Sequence, residues 1–225
     1  MTAPHTLSAL DRELGELAAA VAAMGGLVVD QLGQLLEAMH RGDGGAFGRI
    51  AARDAEVDAA QAGIEERVVS LLARMQPMAR DLRGVLASQM AALELERSGD
   101  HVKRIAKEIG RLAAPLPSEV VSRLLWIGNQ ARAILQRSLD AYARADATQV
   151  PQAWADDAEL DRFYKDFLSD LLARMRVESG WVDIGVRLIS VAKSLERIAD
   201  HATNVAEEAR FVASGELAAS RRGEA

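Results

Sequence analysis

Leu95-Glu96-Arg97-Ser98-Gly99-Asp100-His101 recurs one hundred residues later as Leu195-Glu196-Arg197-Ile198-Ala199-Asp200-His201. Both copies keep a Glu-x-x-x-Asp spacing. On a helix, residues i and i+4 share a face, so each copy sets two carboxylates side by side at a cost of about 0.2–0.5 kcal/mol unless a cation compensates. The repeat extends well beyond the heptapeptide. Asp54-Ala55-Glu56-Val57-Asp58 returns as Asp157-Ala158-Glu159-Leu160-Asp161, and Leu71-Leu72-Ala73-Arg74-Met75 as Leu171-Leu172-Ala173-Arg174-Met175. Upstream, Gly25 pairs with Gly128, Arg41 with Arg144 and Asp43 with Asp146. The chain is an internal duplication of one unit of about a hundred residues.

Each unit reads as three long helices. Leu7, Leu10, Leu14, Leu17, Val21, Met24, Val28, Leu32, Leu35 and Met39 recur every three or four residues, an apolar stripe that Gly42-Asp43-Gly44-Gly45 ends. A second helix is expected over 46–75 and a third over 78–112, with Pro77 in its first turn. The second unit repeats the pattern near 118–145, 150–176 and 181–213. The expectation is an all-α protein of two tandem three-helix bundles, residues 1–114 and 115–215, followed by a flexible tail, 216–225.

Composition fits that class. Of 225 residues 49% are hydrophobic and only 4% aromatic, the signature of helices packed on helices. The absence of cysteine removes disulfides, thiolate metal sites and cysteine nucleophiles, and suits a reducing interior. A net charge of −6 argues against a nucleic-acid partner. Neither a signal-peptide pattern nor an unbroken apolar run of membrane-spanning length is evident, so a cytoplasmic location is expected.

Folding the second and third helices back on each other turns scattered acids into a site. About a turn at Pro77, Asp54 comes level with Asp100 and Asp58 with Glu96. About a turn at Glu178-Ser179, Asp157 comes level with Asp200 and Asp161 with Glu196. Four carboxylates gathered in this way repel one another. They can protonate, recruit Arg or Lys, point into water or bind cations. An oxygen-only set suits Mg²⁺, Ca²⁺, Mn²⁺ or iron, whereas zinc more often recruits Cys or His. Alternatively the acids form a solvated face, with Arg97 and Arg197 bonded along the helix to Asp100 and Asp200. His101 and His201 sit about 100° round from the aspartates, as supporting or surface groups.

At these residues the chain resembles the PhoU family of phosphate-signalling proteins, built from two repeated three-helix bundles with acidic motifs of the E-R-I-G-D type. The resemblance runs from about Leu7 to Gly215. It rests on Leu95 to His101, on Leu195 to His201 continuing into Ala202-Thr203-Asn204-Val205-Ala206-Glu207, and on Gln76-Pro77-Met78-Ala79-Arg80-Asp81-Leu82-Arg83, similar to the family's Q-P-x-A-x-D-L-R. It implies that Glu96, Asp100, Glu196 and Asp200 are metal ligands, with Asp54, Asp58, Asp157 and Asp161 supplied by the facing helices. The metal would be iron, manganese, zinc or magnesium. Departures are Ser98 in place of Ile, Ala199 in place of Gly, and Arg104 where the second copy has Asn204; an Arg one turn after Asp100 can take a cation's place. The resemblance further implies a regulator rather than an enzyme: a homodimer that restrains high-affinity phosphate uptake and the phosphate-starvation response. Its partners would be the ATPase subunit of the phosphate ABC transporter and a sensor histidine kinase, with the membrane reached only through them.

The chain offers no P-loop and no recognisable seryl nucleophile motif. A ferritin-like metal enzyme is the competing class, and its Glu-x-x-His signature occurs once, Glu37-Ala38-Met39-His40, with Asp140-Ala141-Tyr142-Ala143 at the repeat position. A metal-free helical adaptor is the third. Trp126, Trp154 and Trp181 read as packing residues, and Met24, Met39, Met75, Met78 and Met90 as apolar gap-fillers. Arg80 and Arg83 read as a solvated helix start, with an acidic partner surface as the alternative. Arg221 and Arg222 are too few for membrane binding.

Overall fold

A computed structural model describes residues 3–112 and 114–215, with side chains from Ala9 onward. The expected tail 216–225, its Arg221 and Arg222, and the side chain of Leu7 lie outside the described residues. Seven α-helices are present among the described residues, and no strand: α1 (Ala3–Arg41), α2 (Ala46–Ala52), α3 (Asp54–Met75), α4 (Ala79–Gly110), α5 (Ser118–Ala143), α6 (Val150–Val177) and α7 (Val182–Ser214). Single 3₁₀ turns, Ala147–Gln149 and Ser179–Trp181, precede α6 and α7.

Three helical arms per half are present, with two local departures from the sequence reading. The second arm of the first half breaks at Arg53 into α2 and α3. Arg53 keeps right-handed backbone (φ −68°, ψ −13°) at the junction and pairs with Asp30 at 2.6 Å, while Phe47, Ile50 and a bond from Gln31 Nε2 to the Ile50 carbonyl seat α2 in the core. Pro77 falls outside the third helix rather than in its first turn. Gln76 closes α3 in a left-handed conformation and Met78 is extended, so the chain reverses over these residues before α4 begins at Ala79.

The apolar stripe of α1 is spent on the core: Leu17, Val21, Met24, Val28, Leu32 and Leu35 are buried. By length and composition Ala9–Arg41 also passes for a membrane span, but these side chains pack into the same continuous core that runs through both halves. Helices α3, α4, α7 and α6 lie side by side in that order, with α1 and α5 covering the back.

The halves meet about a pseudo-two-fold axis. Helix α1 runs antiparallel to α5, and Gly25 receives Leu139 while its repeat mate Gly128 receives Leu36, itself the mate of Leu139. A Cβ at either glycine would overlap the leucine, so both are needed for this close approach. Helix α4 runs antiparallel to α7, where the rings of His101 and His201 stack on each other at 5.5 Å. Arg83 donates to the Val212 carbonyl near one end of the pair, and Arg187 meets Glu108 at 2.7 Å near the other.

Among the described residues three non-glycines have left-handed backbone: Gln76, Ala79 and Ala145. Ala145 (φ 48°) is the repeat mate of Gly42 (φ 66°), so both halves leave their first helix through the same turn and only the first uses the residue that adopts it without strain. Ala145→Gly is therefore expected to stabilise the protein by about 1 kcal/mol and raise Tm by about 2–4 °C, read by thermal unfolding. An unchanged or lower Tm would contradict the repeat-based reading of this turn.

Candidate functional site

In the first bundle Asp54 and Asp58 lie on the opening turns of α3, where the helix dipole favours negative charge, and Glu96 and Asp100 lie one turn apart on α4. Gly99 lets the helices approach closely: a Cβ there would lie 3.2 Å from Val57 and 3.4 Å from Asp54 Oδ1. Asp54 is only 2% exposed, and its charge is met by Lys103, whose Nζ lies 2.5 Å from Asp54 Oδ2 and 3.3 Å from Asp100 Oδ1. That bridge places Asp54 level with Asp100. The bond to Asp54, above all, holds the Lys103 ammonium well above its ordinary pKa. Glu96 is pushed up, by burial first and then by the charges of Asp100, Asp58 and Asp54. The four acids thus act on one another as a group.

The second bundle repeats the acids with a different cation. Asp157 is buried on α6, and Asp161 lies one turn on. On α7 Lys193 Nζ lies 2.5 Å from Glu196 Oε1, and Arg197 Nη1 donates to Asp200 Oδ2 at 3.0 Å. The carboxyls of Glu196 and Asp200 are both raised, chiefly by burial, Glu196 also by Asp200 and Asp200 also by Asp161. The cation beside the first cluster is Lys103 and not Arg104, because a residue three positions after Asp100 stands over both Asp54 and Asp100. Arg97 turns to Glu94 at 3.0 Å instead of Asp100, since Lys103 already serves that carboxylate.

Among the described residues no three Asp, Glu or His side chains stand ready-made to ligate one ion. The donor chemistry nonetheless suits a hard cation: every donor is a carboxylate oxygen, and in each cluster a positive charge already rests against them. A metal at Asp54 and Asp100 would displace the Lys103 ammonium, and one at Glu196 would displace Lys193. Glu37 and His40 are both exposed near the end of α1, and Glu37 pairs with Arg41.

The PhoU domain model matches residues 21–109 and 124–209, one copy in each half. The chain belongs to the PhoU family. A phosphate-specific transport system accessory protein PhoU homolog from Caulobacter vibrioides is 35% identical over 219 residues, 97% of this chain and 95% of that protein. A homolog of the same name from Pseudomonas aeruginosa is 32% identical over 213 residues, covering 94% and 88%. The crystal structure of PhoU from Pseudomonas aeruginosa superposes with a TM-score of 0.84 at 31% identity, over 92% of this chain and 99% of that one. The phosphate transport system regulatory protein PhoU from Streptococcus pneumoniae gives 0.85 at 28% identity, over 92% and 98%. Two tandem helical bundles are thus the fold of this family and of this chain.

The family motif does not point to a second set of polar residues at the α4–α7 contact. Glu94 accepts from Asn204 at 2.8 Å and meets His201 Nδ1 at 2.7 Å. Burial pushes its carboxyl up, but the bonds to His201 and Asn204 outweigh that and hold it below the ordinary range. His101 has the smaller Ser194 at the mate of Glu94's position, and burial, then the charges of His201, Arg104 and Arg197, lowers it to about 4. The asymmetry recurs further along. Glu108 meets Arg187, whereas its mate Glu208 has Ala87 at the position equivalent to Arg187. Aligning the repeats and noting where an ion-pair partner changes to Ser or Ala would have found both.

Burial first, then the neighbouring charges of Glu207 and Glu94, pushes Glu208 up to about 7. Its raised pKa stabilises the fold fully below the ordinary carboxylate range, and that contribution is lost as pH rises through 7. Glu208→Gln, neutral at every pH, is expected to stabilise the protein by about 2 kcal/mol near pH 8 and to change little near pH 4.5, read from denaturant unfolding at the two pH values.

Proposed function

We propose that this chain is an accessory regulator of phosphate transport that acts by binding other proteins and catalyses no reaction. In this reading it restrains the high-affinity phosphate ABC transporter through the ATPase subunit and passes the phosphate-replete state to a sensor histidine kinase, in the cytoplasm and at the membrane only through those partners. The observation that carries it is the match of both repeats to one family over nearly the whole chain, with full-length relatives named as accessory proteins of a phosphate-specific transport system. A homodimer is the assembly we infer from the family resemblance.

The carboxylate clusters are proposed as the metal-binding part of that regulator. Asp54, Asp58, Glu96 and Asp100 would hold ions in the first bundle, and Asp157, Asp161, Glu196 and Asp200 in the second. Iron, manganese, magnesium and zinc are the candidates, the first three being the better match to an all-oxygen set. Bound metal would supply fixed positive charge on an otherwise acidic face. The chain's own residues hold the carboxylates level, bury Asp54 and Asp157, and keep lysines at hand when metal is scarce. A metal-free adaptor is the second reading, favoured by the lysine bridges already in place at Asp54 and Glu196.

Metal content by mass spectrometry, on protein purified without chelator beside the double variant Asp100→Asn and Asp200→Asn, separates the two. Stoichiometric metal in the wild type that falls at least about tenfold in the variant supports the metal-binding regulator. Metal at background in both, even after soaking with iron and manganese, leaves the adaptor. Retention by the purified phosphate-transporter ATPase tests the regulatory reading itself, and no retention would contradict it.

A further inference from the structure

The two hairpins are copies of one plan, so each serves as a control for the other. The α6–α7 hairpin turns through Ser179–Trp181 without a left-handed residue. Its Arg174 is held by Glu178 at 3.2 Å and lies over the Trp181 ring at 3.6 Å. The α3–α4 hairpin turns at the matching place with two non-glycine residues, Gln76 (φ 48°) and Ala79 (φ 49°), both left-handed. Folding does not demand that strain, since the second half makes the same reversal without it. Strained backbone clusters at functional sites, and here, unlike at Ala145, two such residues flank an exposed apolar residue.

The strained turn raises Met78 into solvent at 79% exposure, with Leu86 and Met90 exposed one turn apart on α4 and Val69 exposed on α3. Met78 and Met90 are thus display residues and not the core gap-fillers their composition suggests; Met24 and Met39 are the buried ones. The charges around this tip also differ from those at its twin. Arg74, the mate of Arg174, and Arg80 make no ion pair among the described residues, whereas Arg83 is used on the Val212 carbonyl. The second tip leaves Val177, Val182 and Val186 exposed as well, but its Arg174 is already neutralised by Glu178, so Arg176 is the one arginine of α6's last turn without an ion pair among the described residues, against Arg74 and Arg80 at the first tip.

We propose that the α3–α4 tip is a docking surface for an acidic, partly apolar segment of a protein partner. The segment would lay large apolar side chains against Met78, Leu86 and Met90 and set carboxylates on Arg74 and Arg80. Methionine suits this use, because its flexible thioether moulds to the incoming surface. Arginines beside an apolar patch make the charge complement acidic and add specificity. The identity of the partner rests on the functional reading above, in which it is the phosphate-transporter ATPase; the location of the surface rests on the comparison of the two tips.

The test is a binding titration of that purified ATPase against the full-length protein, with sedimentation and thermal unfolding of every variant. A first-tip variant, Met78→Asp with Arg80→Glu, is expected to lose at least about tenfold in affinity, and the matching second-tip variant, Val177→Asp with Arg176→Glu, to stay within about twofold. A relaxed-turn variant, Gln76→Gly with Ala79→Gly, is expected to melt higher and bind several-fold more weakly, opposite signs that a folding defect does not produce. Equal binding by the first-tip variant, or equal losses at both tips, overturns the proposal. A first-tip variant that loses self-association and keeps ATPase binding also overturns it, by making the surface an interface between copies. No binding by the wild type overturns the ATPase reading and the docking together, which binding that survives the first-tip change does not.

Discussion

Carboxylates held level on adjacent helices must be matched by positive charge, and much of this architecture follows from that constraint. Burying an acid unmatched costs several kcal/mol, a large share of the stability of any domain. Asp54 is buried against Gly99 and Val57, yet the fold keeps it, because Lys103 reaches over from α4 and joins it to Asp100. In the second half Lys193 and Arg197 serve Glu196 and Asp200. The lysines are not repeat mates: Thr203 stands at the position of Lys103, and Leu93 at that of Lys193. The acids repeat and the cations do not. Acid geometry is therefore the element the two halves share, and the cation that satisfies it is interchangeable, which is the property expected of a site that accepts metal.

The same logic shapes the junction between the bundles. Helix pairs α1–α5 and α4–α7 cross about one pseudo-two-fold axis, so small residues on each half take large ones from the other, and His101 lies on His201. A duplicated chain can bind itself in this way as two identical subunits would. The charges have diverged within that frame. Glu94 has Ser194 as its mate and Arg187 has Ala87, leaving Glu208 a half-buried acid without the arginine its twin enjoys. The two halves are alike in packing and unlike in electrostatics, and this lets one fold present two distinct hairpins to its surroundings.

Much of this was legible in the sequence because a duplication states its own alignment. The apolar stripe from Leu10 to Met39, the glycine pair Gly25 and Gly128, and the equal levels of Asp54 with Asp100 all follow from spacing alone. What spacing cannot give is which way a side chain leaves the helix. It pointed to Arg104 for the counter-charge and did not mention Lys103, which fills that place, since a single position changes the facing by about 100°. It put Met78 and Met90 inside, since residue type says apolar, whereas the turn exposes Met78 and the outer face of α4 exposes Met90. The break at Arg53 was hidden for a similar reason: the residue there pairs with Asp30, twenty-three residues away on another helix, which local spacing does not reveal.

In the proposed reading each carboxylate cluster is a cation site that a lysine fills when metal does not. Thermal unfolding of the double variant Lys103→Met and Lys193→Met, in chelator and then across a manganese titration, tests it most directly. The account predicts a Tm in chelator lowered by several degrees against the wild type, restored by manganese, with a larger metal-induced rise in the variant than in the wild type. A variant that melts like the wild type in chelator, or that gains nothing from manganese, would contradict it.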